Sequence, residues 1–310
     1  MITRMPAFFA LICALAVTFA PGRAAAEDPA EVDWNQDWPR FRPVEVAVTA
    51  VLTVQVATVF FLYPDPKHNW DTGVFFDDEV RDALRMRSKR SRDNAAAVSD
   101  YIYYALAAYP MLVDTALVTD LAHGKQDVAM QMFAMNFESY AFSGALALSL
   151  ERIGRVRPLA AECDKDPNYS EKCSSEAEKN ASFLSGHTAI AFTSAGLMCA
   201  HHQHLPLYGG GAPDLLACLG GVAAASTSAV LRVSSDNHYA SDVILGSMIG
   251  FFGGYALPSL LHYGFTSGNK SPSASVLPTF RSNALGSPVS AVLAPQVDTT
   301  GAGLTLAGSF

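Results

Sequence analysis

Three short pieces of this sequence place residues capable of acid, base and nucleophilic chemistry at the ends of apolar segments. The first, Glu151-Arg152-Ile153-Gly154-Arg155-Val156-Arg157-Pro158, closes an apolar run with three arginines and a helix-stopping proline. The second, Ser185-Gly186-His187, opens another run: Ser185 is a helix cap, and the free N–H groups beyond it suit an anion. The third runs from Arg232 through His238 to Asp242. If His238 and Asp242 are both helical, their i,i+4 spacing puts them on one face, where the carboxylate holds the imidazole tautomer and leaves its other nitrogen free to attack. Together these pieces offer donors for an anion and a histidine able to act as a nucleophile.

Six apolar stretches must position these pieces: Val46–Tyr63, Tyr101–Val118, Ala129–Leu150, Thr188–Ala200, Leu215–Leu231 and Val243–Leu261. Each is too long for a strand and rich in Ala, Leu and Met, so the fold is predicted to be all-α, a bundle of about six apolar helices. Pro110 and Asp114 interrupt the second stretch, while Asn136 and Glu138 sit inside the third; such groups must face the bundle interior. Gly220-Gly221 and Gly253-Gly254 permit close helix packing.

Composition agrees. Of 310 residues, 50% are hydrophobic and 16% charged, against about 25% charged in an ordinary soluble protein. The mean hydropathy of +0.18 points the same way, to a membrane or strongly apolar envelope protein. The net charge of −8 repels nucleic acid and excludes it as a partner.

Residues 1–26 read as a secretory signal: Arg4, the apolar run Ala7 to Ala20, then Ala24-Ala25-Ala26 as a cleavage site. Residues 27–95 are assigned to an N-terminal helix and a basic amphipathic segment, read as solvated, with lipid headgroups as the sharper option for its arginines. Residues 96–264 form the core that carries the three pieces. Residues 265–310 are a Ser/Pro/Gly-rich tail whose alternation allows a short β-hairpin, Ser290–Ala294 with Gly303–Leu306. Export makes a Cys163–Cys173 disulfide expected across a polar loop, whereas Cys199 and Cys218 are open between free thiols and a second bridge. The cluster His201, His202 and His204 reads as a surface group at a helix end, with no metal assigned. Tyr101, Tyr103 and Tyr104 read as an interfacial belt or core, and Asp114 and Glu138 as buried structural polar groups.

In this order the three pieces resemble the type 2 phosphatidic acid phosphatase and vanadium haloperoxidase superfamily, whose signature is Lys-x6-Arg-Pro, Pro-Ser-Gly-His and Ser-Arg-x5-His-x3-Asp. Arg157-Pro158, Ser185-Gly186-His187 and Arg232-x5-His238-x3-Asp242 match it, and the resemblance covers roughly residues 97 to 262. Leu150, Leu184 and Leu231 depart from it, standing at the positions of the lysine, the proline and the serine. The resemblance implies a phosphoric monoester hydrolase without metal or other cofactor. In it His238 attacks phosphorus, Asp242 orients His238, and His187 protonates the leaving alcohol. Arg157, Arg232 and the amides of Ser185 and Gly186 hold the phosphoryl oxygens, with Arg152 or Arg155 as a compensating cation for the missing lysine. The implied substrate is a lipid or isoprenoid (pyro)phosphate or a small phosphate ester. A soluble periplasmic acid phosphatase, a vanadate-dependent haloperoxidase and a degenerate phosphate-binding envelope protein are the alternatives.

The expected location is the cell envelope, membrane-associated with a periplasm-facing site. Two observations pull against each other here: the disulfide loop favours the oxidising side, whereas positive-inside counting over 64–95 favours the cytoplasm.

Overall fold

Six long helices form where the apolar stretches predict them. The computed structural model describes residues 31–264 and, in the tail, 280–282, 289–298 and 301–309; the signal assigned to 1–26 lies outside the described residues. The helices are α1 (Pro43–Phe61), a short α2 (Asp77–Leu84), α3 (Lys89–Ala108), α4 (Gln126–Glu151), α5 (Gly186–His204), α6 (Ala212–Ser234) and α7 (Ala240–Phe251). Pro110 does not end α3. The helix widens into π-helical turns over Tyr109–Ala122, and the proline's carbonyl accepts from Thr115 Oγ1 and Asn136 Nδ2 at 2.7 and 3.1 Å. The Leu106 carbonyl, four residues before the proline that lacks an N–H, accepts from Tyr109 N–H instead. α7 likewise continues through a π turn, Phe252–Ala256, into Leu257–Leu261.

α5 is the central helix. Its small residues, Ala189, Ala191, Ala195, Gly196 and Ala200, are buried and let neighbours close on it from several sides. The approach to α7 is tightest: a Cβ at Gly250 would sit 2.1 Å from the Ala189 carbonyl oxygen, and one at Gly254 2.0 Å from that of Thr193. Only glycine fits along this seam, which aligns the two helix starts that bear His187 and Asp242.

Successive long helices run in opposite directions, so segments 62–88, 152–185 and 235–239 share one end of the bundle. Backbone bonds tie these segments together: Asn69 N–H to Gly154 C=O, Met86 N–H to Ser234 C=O and Leu159 N–H to Asp236 C=O. At the other end Trp38, His204 and Tyr263 stack, and Lys125 meets Glu31 and Asp33.

Four segments are long and apolar enough to cross a membrane: Pro43–Phe61, Lys89–Ala122, Ala212–Ser234 and Ala240–Leu261. Their outward faces carry Val51, Val54, Leu117, Leu121, Leu216 and Met248, each more than half exposed, far more apolar surface than a water-soluble bundle displays. The protein is membrane-associated.

The basic segment is divided. Arg87 and Arg90 are exposed, as a solvated segment requires, whereas Arg81 pairs with Asp236 at 2.7 Å, Arg85 with Glu162 at 3.0 Å, and Arg92 is buried over the Tyr169 ring.

The histidine cluster is also corrected. His201 and His202 are buried because each meets partners inside: His201 bonds Tyr263 and Asn136, and His202 bonds Asp214. In the tail, β1 (Phe280–Ser282), β2 (Val289–Asp298) and β3 (Gly301–Ser309) form an antiparallel meander, longer by one strand than the expected hairpin, with Leu293 opposite Leu306.

Both cysteine pairs are bridged, Cys163–Cys173 with Cα atoms 5.4 Å apart and Cys199–Cys218 at 4.3 Å. Closing loops this short contributes about 3 kcal/mol each by chain entropy. Peptide mapping under non-reducing conditions is expected to return both linked pairs; alkylation of these four thiols in the unreduced protein would contradict the assignment.

Candidate active site

The site forms where the α5 N-terminus, the α6 C-terminus, the 235–239 turn and the 152–185 segment meet. Ser185 caps α5, its Oγ accepting from Thr188 N–H at 3.4 Å, as its type predicts. Its own N–H donates to the Asp242 carbonyl at 3.4 Å. The Ser185 amide is therefore committed, which leaves Gly186 N–H, at the first helical position where no intrahelical partner exists, as a donor at this terminus.

His238 lies in the turn before α7 rather than on it, so the helical i,i+4 relation to Asp242 does not form. Its Nδ1 sits 2.8 Å from the Ser182 carbonyl and its Nε2 3.0 Å from Arg157 Nη1. A carbonyl only accepts and a guanidinium only donates, so these contacts assign the proton to Nδ1 and the lone pair to Nε2. Asp242 reaches His238 through one intermediary. Its carboxylate accepts from Ser182 Oγ at 2.7 Å and from Tyr239 N–H at 3.0 Å, fixing the residue whose carbonyl orients the imidazole.

Behind Asp242 stands Arg155, fully buried. It bonds Asp242 and Ser241 through Nη1 and Asp77 and Thr72 C=O through Nη2, between the rings of Trp70 and Tyr239. Arg152 donates to the carbonyls of Pro64 and Val59. Both arginines are thus engaged elsewhere, and neither replaces the motif lysine, because their fixed partners hold them behind the site. Leu150 itself packs with Leu184 in an apolar cluster with Ala147 and Ala189, so two departures from the motif touch the same hydrophobic patch.

The remaining cations converge. Arg157 donates through Nε to Glu178 C=O at 2.6 Å and through Nη1 to Asn237 C=O at 2.8 Å. Arg232 donates to Asp100 at 2.9 Å, while its buried Nε has no partner. His187, in contact with the Tyr103 ring, has Nε2 3.2 Å from the same Asp100 oxygen. Burial, then the Arg157 and Arg232 charges, hold the His238 pKa well below its ordinary value. Burial followed by Arg232, Lys172 and Arg157 pushes His187 down to about 3. Arg157 itself is pushed down to about 10 by burial and by Arg232. Cations crowded until they disfavour one another make a pocket that gains from a multiply charged anion.

A cleft of about 600 Å³ has Asp100, Asn237, Glu178 and Lys172 in its wall; Arg157, Arg232, His187 and His238 lie behind that wall, joined to it through Asp100, Asn237 and Glu178. Reasoning from sequence missed Asp77, Arg81, Ser182 and Asp100. None of the four lies in the three motif pieces.

Residues 129–265 match the family described as the PAP2 superfamily. No curated protein and no solved structure matches the chain significantly.

Proposed function

Because residues 129–265 match the PAP2 superfamily, we propose that this chain hydrolyses a phosphate monoester through a phosphohistidine. The observation that carries the reading is the convergence of Arg157, Arg232 and two histidines at one end of the bundle. Guanidinium groups gathered beside imidazoles suit a phosphoryl group, which they bind with charge-assisted bonds.

His238 Nε2 attacks phosphorus as the bond to the ester oxygen breaks, and His187 gives that oxygen its proton. Water then attacks phosphorus, the N–P bond breaks, His187 takes the water proton, and inorganic phosphate leaves. Arg157, Arg232 and Gly186 N–H hold the equatorial oxygens throughout, so side-chain cations do the neutralising and no metal is invoked.

The substrate class follows from the surroundings. Val98, Tyr101 and Tyr104 on α3 are exposed next to Asp100 of the cleft, on a segment apolar enough to span a bilayer. An amphiphile with its phosphate in the cleft can lay its chains along that face, which favours a lipid or isoprenoid phosphate over a small soluble ester. The Cys163–Cys173 and Cys199–Cys218 bridges support an exported protein.

Phosphate release from a lipid phosphate by the purified protein in chelator, against a His238→Ala control, tests the reading. Equal release from both proteins would sink it.

A further inference from the structure

Leu150 leaves the phosphoryl pocket one cation short of the superfamily pattern, and the arginines beside it are engaged elsewhere. Another cation, Lys172, lies in the cleft wall. Lys172 sits on the single helical turn Glu171–Ser174, next to bridged Cys173, with its N–H bonded to Ser170 Oγ at 3.3 Å. Its Nζ donates to Glu178 Oε2 at 2.8 Å, and the carbonyl of that same Glu178 accepts from Arg157 Nε. Two bonds through one residue therefore connect Lys172 to the guanidinium that touches His238. Lys172 also lines the cleft with Asp100 and Asn237, whose other contacts are Arg232 and Arg157.

We propose that Lys172 supplies the cation missing at position 150, moving from Glu178 to the phosphoryl group when substrate enters, on a loop held in place by the Cys163–Cys173 bridge. The inference rests on the phosphoryl-transfer reading above and adds a residue from outside the motif to it. A lysine is suited to the exchange: its ammonium is a mobile point charge on a flexible stem, and Glu178 neutralises it until a dianion competes. The position also replaces a lysine fixed on a helix with one fixed by a covalent staple, at the cleft side instead of the bundle side.

The groups facing Lys172 are Glu178 in contact, Arg157, Arg232 at the end of α6, His187 at the start of α5, Glu151 at the end of α4, and Arg92 and Asp100 of α3 in the cleft wall. Burial and then Arg157 push the Lys172 pKa down to about 8, against the Glu178 bond that raises it. The charge is present below that value and is lost as pH rises through it, so the alkaline limb of kcat/KM is assigned to Lys172.

Lys172→Met, Lys172→Arg and a Cys163→Ala/Cys173→Ala variant are to be compared on one lipid phosphate, with orthophosphate affinity measured by calorimetry on the same full-length proteins. Lys172→Met is expected to lower kcat/KM about a hundredfold, the effect of one well-placed donor, and to weaken orthophosphate at least about tenfold with unchanged thermal unfolding. Lys172→Arg is expected to restore most activity and shift the alkaline limb upward. The bridge-less variant should lose activity in the wild-type background and lose nothing further when Lys172 is already Met. Wild-type levels of activity and orthophosphate affinity in Lys172→Met, with His238→Ala inactive, overturn this proposal alone. Failure of the wild-type protein either to bind orthophosphate or to release it from substrate overturns the phosphoryl-transfer reading as well.

Discussion

His238→Ala is expected to lower phosphate release by at least about a thousandfold and to abolish a phosphoenzyme that is acid-labile and stable to base, the signature of an N–P bond. The size follows from chemistry rather than packing. Without Nε2 there is no first step, and a water in the cavity left behind lacks the orientation worth several kcal/mol in a held nucleophile. His187→Ala is expected to differ in kind. Its loss should be large on an alkyl phosphate, whose alkoxide must be protonated as it leaves, and much smaller on an aryl phosphate whose leaving group is already stable. His238→Ala should show no such dependence. The pH profile carries a matching sign. Burial, Arg232, Lys172 and Arg157 depress His187 in the protein alone, and a bound dianion opposes those cations and raises it again. Orthophosphate and substrate should therefore bind with proton uptake and more tightly as pH falls toward 6, while His238, held well below its ordinary pKa, stays neutral and nucleophilic. Steady-state rates on the two esters, with acid and base quenches of labelled enzyme, check all of this. An active His238→Ala variant, or equal leaving-group dependence in both variants, would refute the division of roles.

Local signals account for what could be read in advance, and their absence for what could not. The six long helices follow from apolar runs too long for strands and rich in Ala, Leu and Met, and the motif residues mark the helix ends that meet at the site. Ser185 was legible as a cap because capping is decided within three residues. The Asp242–His238 relation was misplaced by assuming a helix one turn too early; Asp236, at φ 63°, turns the chain there, and Arg81 from 155 positions away pins it. No pattern within a window of residues announces a contact of that span. Asp77 and Arg81 therefore read as solvated charges although they are buried or half-buried beneath the site. The histidine cluster failed for the same reason, since Asn136, Asp214 and Tyr263 arrive from other segments. Lys172 was invisible because the loop carrying it enters the site by a disulfide and an ion pair, neither of which has a helical period.

Arg155→Ala is expected to cost about 3–5 kcal/mol of stability, the range for breaking a buried ion pair by removing one partner. Here one guanidinium serves two carboxylates. Nη2 lies 2.7 Å from Asp77 and Nη1 bonds Asp242, all three residues are fully buried, and the rings of Trp70 and Tyr239 stand 4.3 and 4.2 Å from the guanidinium carbon. Truncation leaves two carboxylates facing each other in a site walled by aromatic rings, where neither water nor another cation reaches them. Lysine cannot repair this, because a single ammonium does not span Asp77, Asp242, Ser241 and the Thr72 carbonyl as the forked guanidinium does. Activity should fall with stability, since Asp242 holds Ser182 and Ser182 holds His238. The contrast with Arg157→Ala separates the two roles: Arg157 contacts His238 and two carbonyls but no carboxylate, so its loss should remove about two orders of magnitude in kcat/KM with far less effect on unfolding. Adding Asp77→Asn to Arg155→Ala removes one of the orphaned charges and should recover part of the stability but little activity, because Asp242 stays without its partner. Thermal unfolding in detergent alongside kcat/KM for the two single variants and the double variant decides the matter. An Arg155→Ala protein as stable as the parent would mean that this buried triad does not hold the site together.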